Sequence, residues 1–268
     1  MLKLAGIVLL SLLTFHVAAS EMLEVNGGSI EYEMKGGGDT VVLFDAGALS
    51  GMSGWDSIWT DLSAEITAVR FSRLGEGNSG ACQGQRSASD YVDEVDQLLA
   101  KLKIERPIVY VGHSLGGITA RNFATTHAGD VKAMLMVEPA IPRDVDIVTQ
   151  LNPANGQEEI DEIKQNDYAA GEGKWCFLDV IWDKSTIPGF AEIGDIPVTL
   201  IAGVKVPEEA PTVFQSREGR RLWGHYQREW AEQFPQGKAV LTNKSGHFVQ
   251  DDEPELVVSE LIKLLDRL

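Results

Sequence analysis

A continuous apolar run, Ile108-Val109-Tyr110-Val111, leads directly into Gly112-His113-Ser114-Leu115-Gly116-Gly117 and then into a helical stretch, Ile118 to His127. This feature constrains the chain more than any other. An unbroken apolar run ahead of a turn is the pattern of a strand buried on both faces, as in a parallel sheet covered by helices. Glycines two residues before and two after Ser114 permit a strand-to-helix turn so sharp that side chains there would collide across it. A turn of that kind lifts the serine hydroxyl clear of the sheet. The helix that follows adds free backbone N–H groups and the positive end of its dipole, both suited to a developing anion.

The same alternation runs through most of the chain. Val25 to Met34 reads as a hairpin turning at Asn26-Gly27-Gly28. Short apolar strands are expected at Val41 to Phe44, Ile66 to Phe71, Lys132 to Val137, Ile196 to Ala202 and Lys238 to Thr242. Helices are expected at Ser87 to Lys103, Arg217 to Phe234 and Pro254 to Leu264. Ser87 and Asp90 have the spacing of a capping box, and Pro254 suits a first helical position. Strands alternating with helices imply an α/β fold with a doubly wound, mostly parallel sheet. Residues 141–195 break the rhythm with prolines, acids and aromatics (Tyr168, Trp175, Phe177, Trp182, Phe190), and read as a small helical cap inserted into a domain spanning 21–268.

The first twenty residues differ from the rest. Lys3 precedes an apolar run from Leu4 to Leu13, and Val17-Ala18-Ala19-Ser20 offers a small-residue exit. This is the layout of a secretory signal cleaved after Ala19 or Ser20, with an uncleaved anchor as the alternative. The run falls short of the roughly 20 residues that span a bilayer. A secreted or periplasmic protein without a stable membrane anchor is therefore expected. The formal net charge of −17 sets nucleic-acid binding aside, because such a surface repels phosphate backbones. In an oxidising compartment the two cysteines, Cys82 and Cys176, could pair, tying the insertion to the core. No metal-ligand spacing is visible.

From Val25 onward the chain resembles the α/β-hydrolase superfamily, and Gly-His-Ser-Leu-Gly-Gly at 112–117 is a common form of its nucleophile elbow. The resemblance implies a serine hydrolase that cleaves an ester, thioester or amide bond through an acyl-enzyme on Ser114, with no cofactor. Of the five histidines, His247, in Ser245-Gly246-His247-Phe248, lies where the family places its base. His113 adjoins the nucleophile and should point away from it. The acid departs from the pattern. The usual loop reads Gly203-Val204-Lys205-Val206-Pro207-Glu208-Glu209, with Val206 where an Asp is common. Glu138, ending the preceding strand in Val137-Glu138-Pro139, is the favoured replacement, because a carboxylate ending a buried apolar strand needs a partner. Glu208 and Glu209 remain alternatives.

By the same resemblance, the N–H groups of Leu115 and Ala48 would form the oxyanion hole, while Arg73 and Ser79, in Arg73-Leu74-Gly75-Glu76-Gly77-Asn78-Ser79, are read as structural. The expected partner is a small, apolar, neutral substrate. A catalytically inactive binding protein that keeps the fold is the competing reading.

Overall fold

The computed structural model describes residues 20–268 apart from Ser185 and Pro188, so the expected signal segment lies almost wholly outside the described residues. Among the described residues, eight strands form one sheet in the order β1-β2-β4-β3-β5-β6-β7-β8. They are β1 (Glu21–Val25), β2 (Gly28–Gly36), β3 (Thr40–Asp45), β4 (Ile66–Ser72), β5 (Ile108–His113), β6 (Val131–Val137), β7 (Pro197–Gly203) and β8 (Gln236–Thr242). The hairpin β1–β2 joins the sheet antiparallel to β4, and every pairing from β4 to β8 is parallel. The doubly wound, mostly parallel sheet inferred from the alternation is the one observed.

Among the described residues, eight α-helices flank or extend this sheet: α1 (Asp56–Trp59), α2 (Ala88–Lys101), α3 (Leu115–Thr126), α4 (Asp146–Leu151), α5 (Gly156–Gly171), α6 (Arg217–Ala231), α7 (Val249–Asp252) and α8 (Pro254–Leu265). Side chains of β5 alternate between two cores, as strand geometry requires. Ile108 and Tyr110 belong to one core with residues of α2, α3 and α6, while Val109 and Val111 belong to the other with residues of α1 and α8. Helix α2 begins as read. The Ser87 side chain accepts from the Asp90 N–H and the Asp90 carboxylate accepts from the Ser87 N–H, which completes a capping box.

The 141–195 segment folds as α4, α5 and a π-helical turn at Asp179–Asp183. Cys82 and Cys176 form a disulfide. Around it, Arg86 N–H donates to Cys176 O at 2.7 Å, Gln85 Nε2 to Trp175 O at 2.9 Å and Asp179 N–H to Gln85 Oε1 at 3.1 Å. One short core loop thus fastens the end of the segment whose π-helical turn follows directly.

His113 closes β5 inside the core. Its Nε2 lies 2.9 Å from His247 O, so this nitrogen carries the proton, and Nδ1 accepts from Gln250 Nε2 at 3.4 Å. Burial, reinforced by nearby His247, pulls its pKa down to about 3.

Two outcomes follow from this architecture. Replacing both cysteines with serine should lower unfolding stability by about 2–4 kcal/mol in urea titrations, because the bridge spans a separation of 94 residues. For His113, the folded protein takes up no proton until pH nears about 3, whereas the unfolded chain does so below about 6.5. The stability contributed by neutral His113 is therefore complete above pH 6.5 and drains away as pH falls toward 3. The stability gap between wild type and His113→Asn should narrow by about 1.4 kcal/mol per pH unit across that window. A gap of constant size between pH 7 and pH 4 would refute the assignment.

Candidate active site

The turn between β5 and α3 is built from backbone packed on backbone. A Cβ on Gly112 would stand 2.4 Å from Gly116 O, and one on Gly116 would stand 2.2 Å from Asp45 O. Gly117 lies against Pro139 in the same way, at 2.4 Å. Ser114, at the apex, takes φ 51° and ψ −113°, a conformation that non-glycine residues adopt at a cost of about 1–3 kcal/mol. Three bonds hold it there: Ser114 N–H to Val137 O at 3.1 Å, Gly117 N–H to Ser114 O at 3.0 Å and Ala140 N–H to Ser114 O at 3.0 Å. Helix α3 begins at Leu115, three residues earlier than expected, since packing against β3 and Pro139 outweighs the low helix propensity of Gly116-Gly117.

His247 reaches this turn from the loop between β8 and α7. Its Nε2 lies 3.1 Å from Ser114 Oγ and its Nδ1 lies 3.2 Å from Glu138 Oε2. A carboxylate only accepts, so Nδ1 carries the proton and Nε2 is left with a lone pair facing the hydroxyl. The arrangement can therefore pass a proton from Ser114 Oγ to Nε2 while Glu138 stabilises the imidazolium.

Glu138 is 1% exposed and also left-handed, at φ 44°. Its second oxygen, Oε1, accepts from Gly203 N–H at 2.5 Å and from Trp223 Nε1 at 2.8 Å, with Arg220 Nη2 4.0 Å away. Arg220 in turn donates to Gly203 O. A buried carboxylate with both oxygens engaged is held at one angle to the imidazole. Glu208 and Glu209 are exposed and form no hydrogen bond or ion pair with His247 among the described residues. His127 lies 3.9 Å from both Asp96 and Asp130, and His225 pairs with Glu229 on α6, both clear of Ser114. Sequence reasoning missed Arg220 and Trp223. Both come from α6, far along the chain, and an amphipathic helix gives no local sign of which polar group will face a distant strand end.

The loop after β3 supplies the facing wall. A Cβ on Gly47 would meet His113 Nδ1 at 2.7 Å and Ser114 Cβ at 3.3 Å, so the glycine lets this loop lie directly against the serine turn. Ala48 packs against the buried cluster of Tyr91, Leu115, Ile118 and Val180. Leu115, as the first residue of α3, has no carbonyl one turn back to accept its N–H. Arg73 pins the loop from beneath. It is 2% exposed, pairs with Asp45, and donates to Ala46 O at 2.9 Å and Gly47 O at 2.8 Å. Burial pulls the Arg73 pKa down, but the carboxylates of Glu76 and Asp45 outweigh it, so the guanidinium stays charged. Ser79 Oγ donates to Ser72 O at 2.6 Å and accepts from Glu31 N–H at 2.8 Å, bracing the base of the same region.

A cavity of about 760 Å³ opens on Ser114 and His247. Residues 141–195 give it a mostly apolar wall, with Val145, Val148, Ile160, Ile163, Ile181 and Trp182 beside Asp144.

Comparison with known proteins agrees with the fold. The enol-lactonase of Burkholderia xenovorans superposes with a TM-score of 0.67 at 18% identity, covering 92% of this chain and all of that one. A putative lipase of Acinetobacter baumannii gives 0.68 at 14% identity over 93% and 91% of the two chains. An esterase of Thermogutta terrifontis gives 0.61 at 17% identity over 93% and 99%. Among curated sequences, the uncharacterized protein YqjL of Bacillus subtilis is 27% identical over 40% of this chain. The uncharacterized protein Mb2734 of Mycobacterium bovis is 30% identical over 47%. These matches span only 42% and 37% of the relatives' own lengths. The family described as "Alpha/beta hydrolase family" matches residues 41–260, and the chain belongs to it.

Proposed function

We propose that the protein is a serine hydrolase that cleaves a carboxylic ester through an acyl-enzyme on Ser114, with His247 as general base and Glu138 as the acid that orients it. The observation that carries this reading is the position of His247, 3.1 Å from Ser114 Oγ and 3.2 Å from Glu138 Oε2 at the mouth of a large cavity. In the first step Oγ attacks the carbonyl carbon and its proton passes to Nε2. Negative charge gathers on the carbonyl oxygen, toward which the N–H groups of Leu115 and Ala48 would donate. Collapse of this intermediate breaks the bond to the leaving oxygen, which takes the proton from Nε2. Water then repeats the sequence, releasing the acid and restoring Oγ–H.

The apolar cap wall supports a small substrate with an apolar half. The disulfide supports an oxidising compartment, in keeping with a secreted or periplasmic protein once residues 1–20 are removed.

Intact-mass labelling of the mature protein with a fluorophosphonate should give a single adduct that Ser114→Ala abolishes. A folded wild type that takes no label would instead favour an inactive binding protein. Glu138→Gln should fold normally yet lose about 10³–10⁴-fold in kcat on a phenyl ester, because the imidazole loses its charged orienting partner. Turnover near that of wild type would remove Glu138 from the mechanism.

A further inference from the structure

The part of the cavity lining that comes from beyond β7 differs in kind from the part supplied by residues 141–195. Lys205, Gln215 and Arg220 line it together, contributed by the loop after β7 and the first turn of α6. Lys205 is exposed and forms no ion pair among the described residues, while its backbone N–H bonds Ser245 O at 3.1 Å, setting it beside the His247 loop. Thr212 Oγ1 donates to Gln215 Oε1 at 3.2 Å, which occupies the amide oxygen and leaves the Nε2 donors. Arg220 is 6% exposed, and its Nε has no hydrogen-bond partner. Its nearest carboxylate, Glu138, lies 4.0 Å off and is already engaged by Gly203, Trp223 and His247. The cavity lining thus brings together two cations and a spare amide donor, and no carboxylate among the described residues is bonded to Lys205 or Gln215.

The acids that also line the cavity do not fill this role. Asp144 is paired with Lys184 at 3.1 Å. Asp252 sits on the exposed rim and makes no ion pair with Lys205 among the described residues. The overall charge of −17 does repel anions at long range, but that repulsion is screened beyond about 8–10 Å, whereas contacts inside the cavity are not.

The side of the site matters. His247 Nε2 must hand its proton to the leaving oxygen, so the leaving half of an ester lies on the His247 side, the side of Lys205. We infer that the substrate, under the hydrolase reading above on which this rests, is an ester whose alcohol or phenol half carries a carboxylate, received by Lys205, Gln215 and Arg220 while the acyl half lies along the apolar cap.

Three esters test this: phenyl acetate, 4-acetoxybenzoate with its carboxylate on the leaving half, and phenyl hemisuccinate with its carboxylate on the acyl half. Wild type should favour 4-acetoxybenzoate over phenyl acetate in kcat/KM. Lys205→Glu should lower that ratio by about tenfold or more, and Lys205→Arg should preserve it. A ratio unmoved by Lys205→Glu, or a preference for the hemisuccinate, would overturn the inference. Binding of 4-hydroxybenzoate against phenol to Ser114→Ala, by calorimetry, separates this proposal from the hydrolase reading. Tighter binding of the carboxylate supports the donor wall even if no ester is cleaved, and equal binding sinks it.

Discussion

The site depends first on how closely backbone can approach backbone where β5 turns into α3. Gly112 lies against Gly116, Gly116 against the end of β3, and Gly117 against Pro139 beyond β6. Those three approaches clamp the start of one helix to the ends of three neighbouring strands. Ser114 is left in a strained conformation with no freedom to relax, because three backbone bonds hold its N–H and carbonyl. Strain persists only where the surroundings over-determine it. Here the surroundings are the sheet itself, so the direction of the hydroxyl is a property of the fold and not of a mobile loop.

A buried charge cluster extends that rigidity to the opposite wall. Arg73 could not remain buried as a cation without compensation. It receives this from Asp45, Glu76 and two main-chain carbonyls of the loop after β3. The same Glu76 accepts from Leu49 N–H at 3.1 Å, so the loop is gripped on both sides of Ala48. Ala46-Gly47 carries no side chain able to brace the loop, and the guanidinium grips it by its carbonyls. Removing one member of such a network leaves the others buried and unpaired, so its members stand or fall together.

How much of this could be read in the sequence varies with how local the cause is. Continuous apolar runs placed the central strands within a residue or two, because burial on both faces leaves little choice of residue. Ends fared less well. Helix α6 stops at Ala231 where apolar periodicity continues to Phe234, and β8 starts at Gln236, two residues before the apolar pattern does. Edges like these are decided by tertiary contacts: a Cβ on Gly237 would strike Ala231 O. The 141–195 segment was legible only as irregular and helical. Its longest helix, α5, runs sixteen residues with three of them buried, too weak a stripe to announce its length. Within the candidate site, Ser114 and His247 were named from motif and chain order, and Glu138 was favoured over Glu208 and Glu209 on the cost of burying a carboxylate; the structure places these three side chains together. The cradle of Gly203, Arg220 and Trp223 was not, since it exists only once α6 packs on the ends of β6 and β7.

That cradle explains how an acid can stand beside His247 although the loop after β7 has Val206 where the family often has Asp. Strands β6 and β7 run parallel in register, Val137 opposite Ile201, so the residues leaving their ends emerge side by side. Adjacent strands are only about 4.8 Å apart, and a glutamate is one methylene longer than an aspartate. A carboxylate from the end of β6 can therefore reach the ground that one from the β7 loop would occupy. It does so at a cost seen in the backbone, for Glu138 must turn left-handed to aim its side chain across. The Gly203 N–H, which would otherwise head an empty loop, becomes its hydrogen-bond donor. With the carboxylate supplied from β6, the β7 loop keeps no acidic duty toward His247. Position 206 is free to be an exposed valine and position 205 to present a lysine to the cavity.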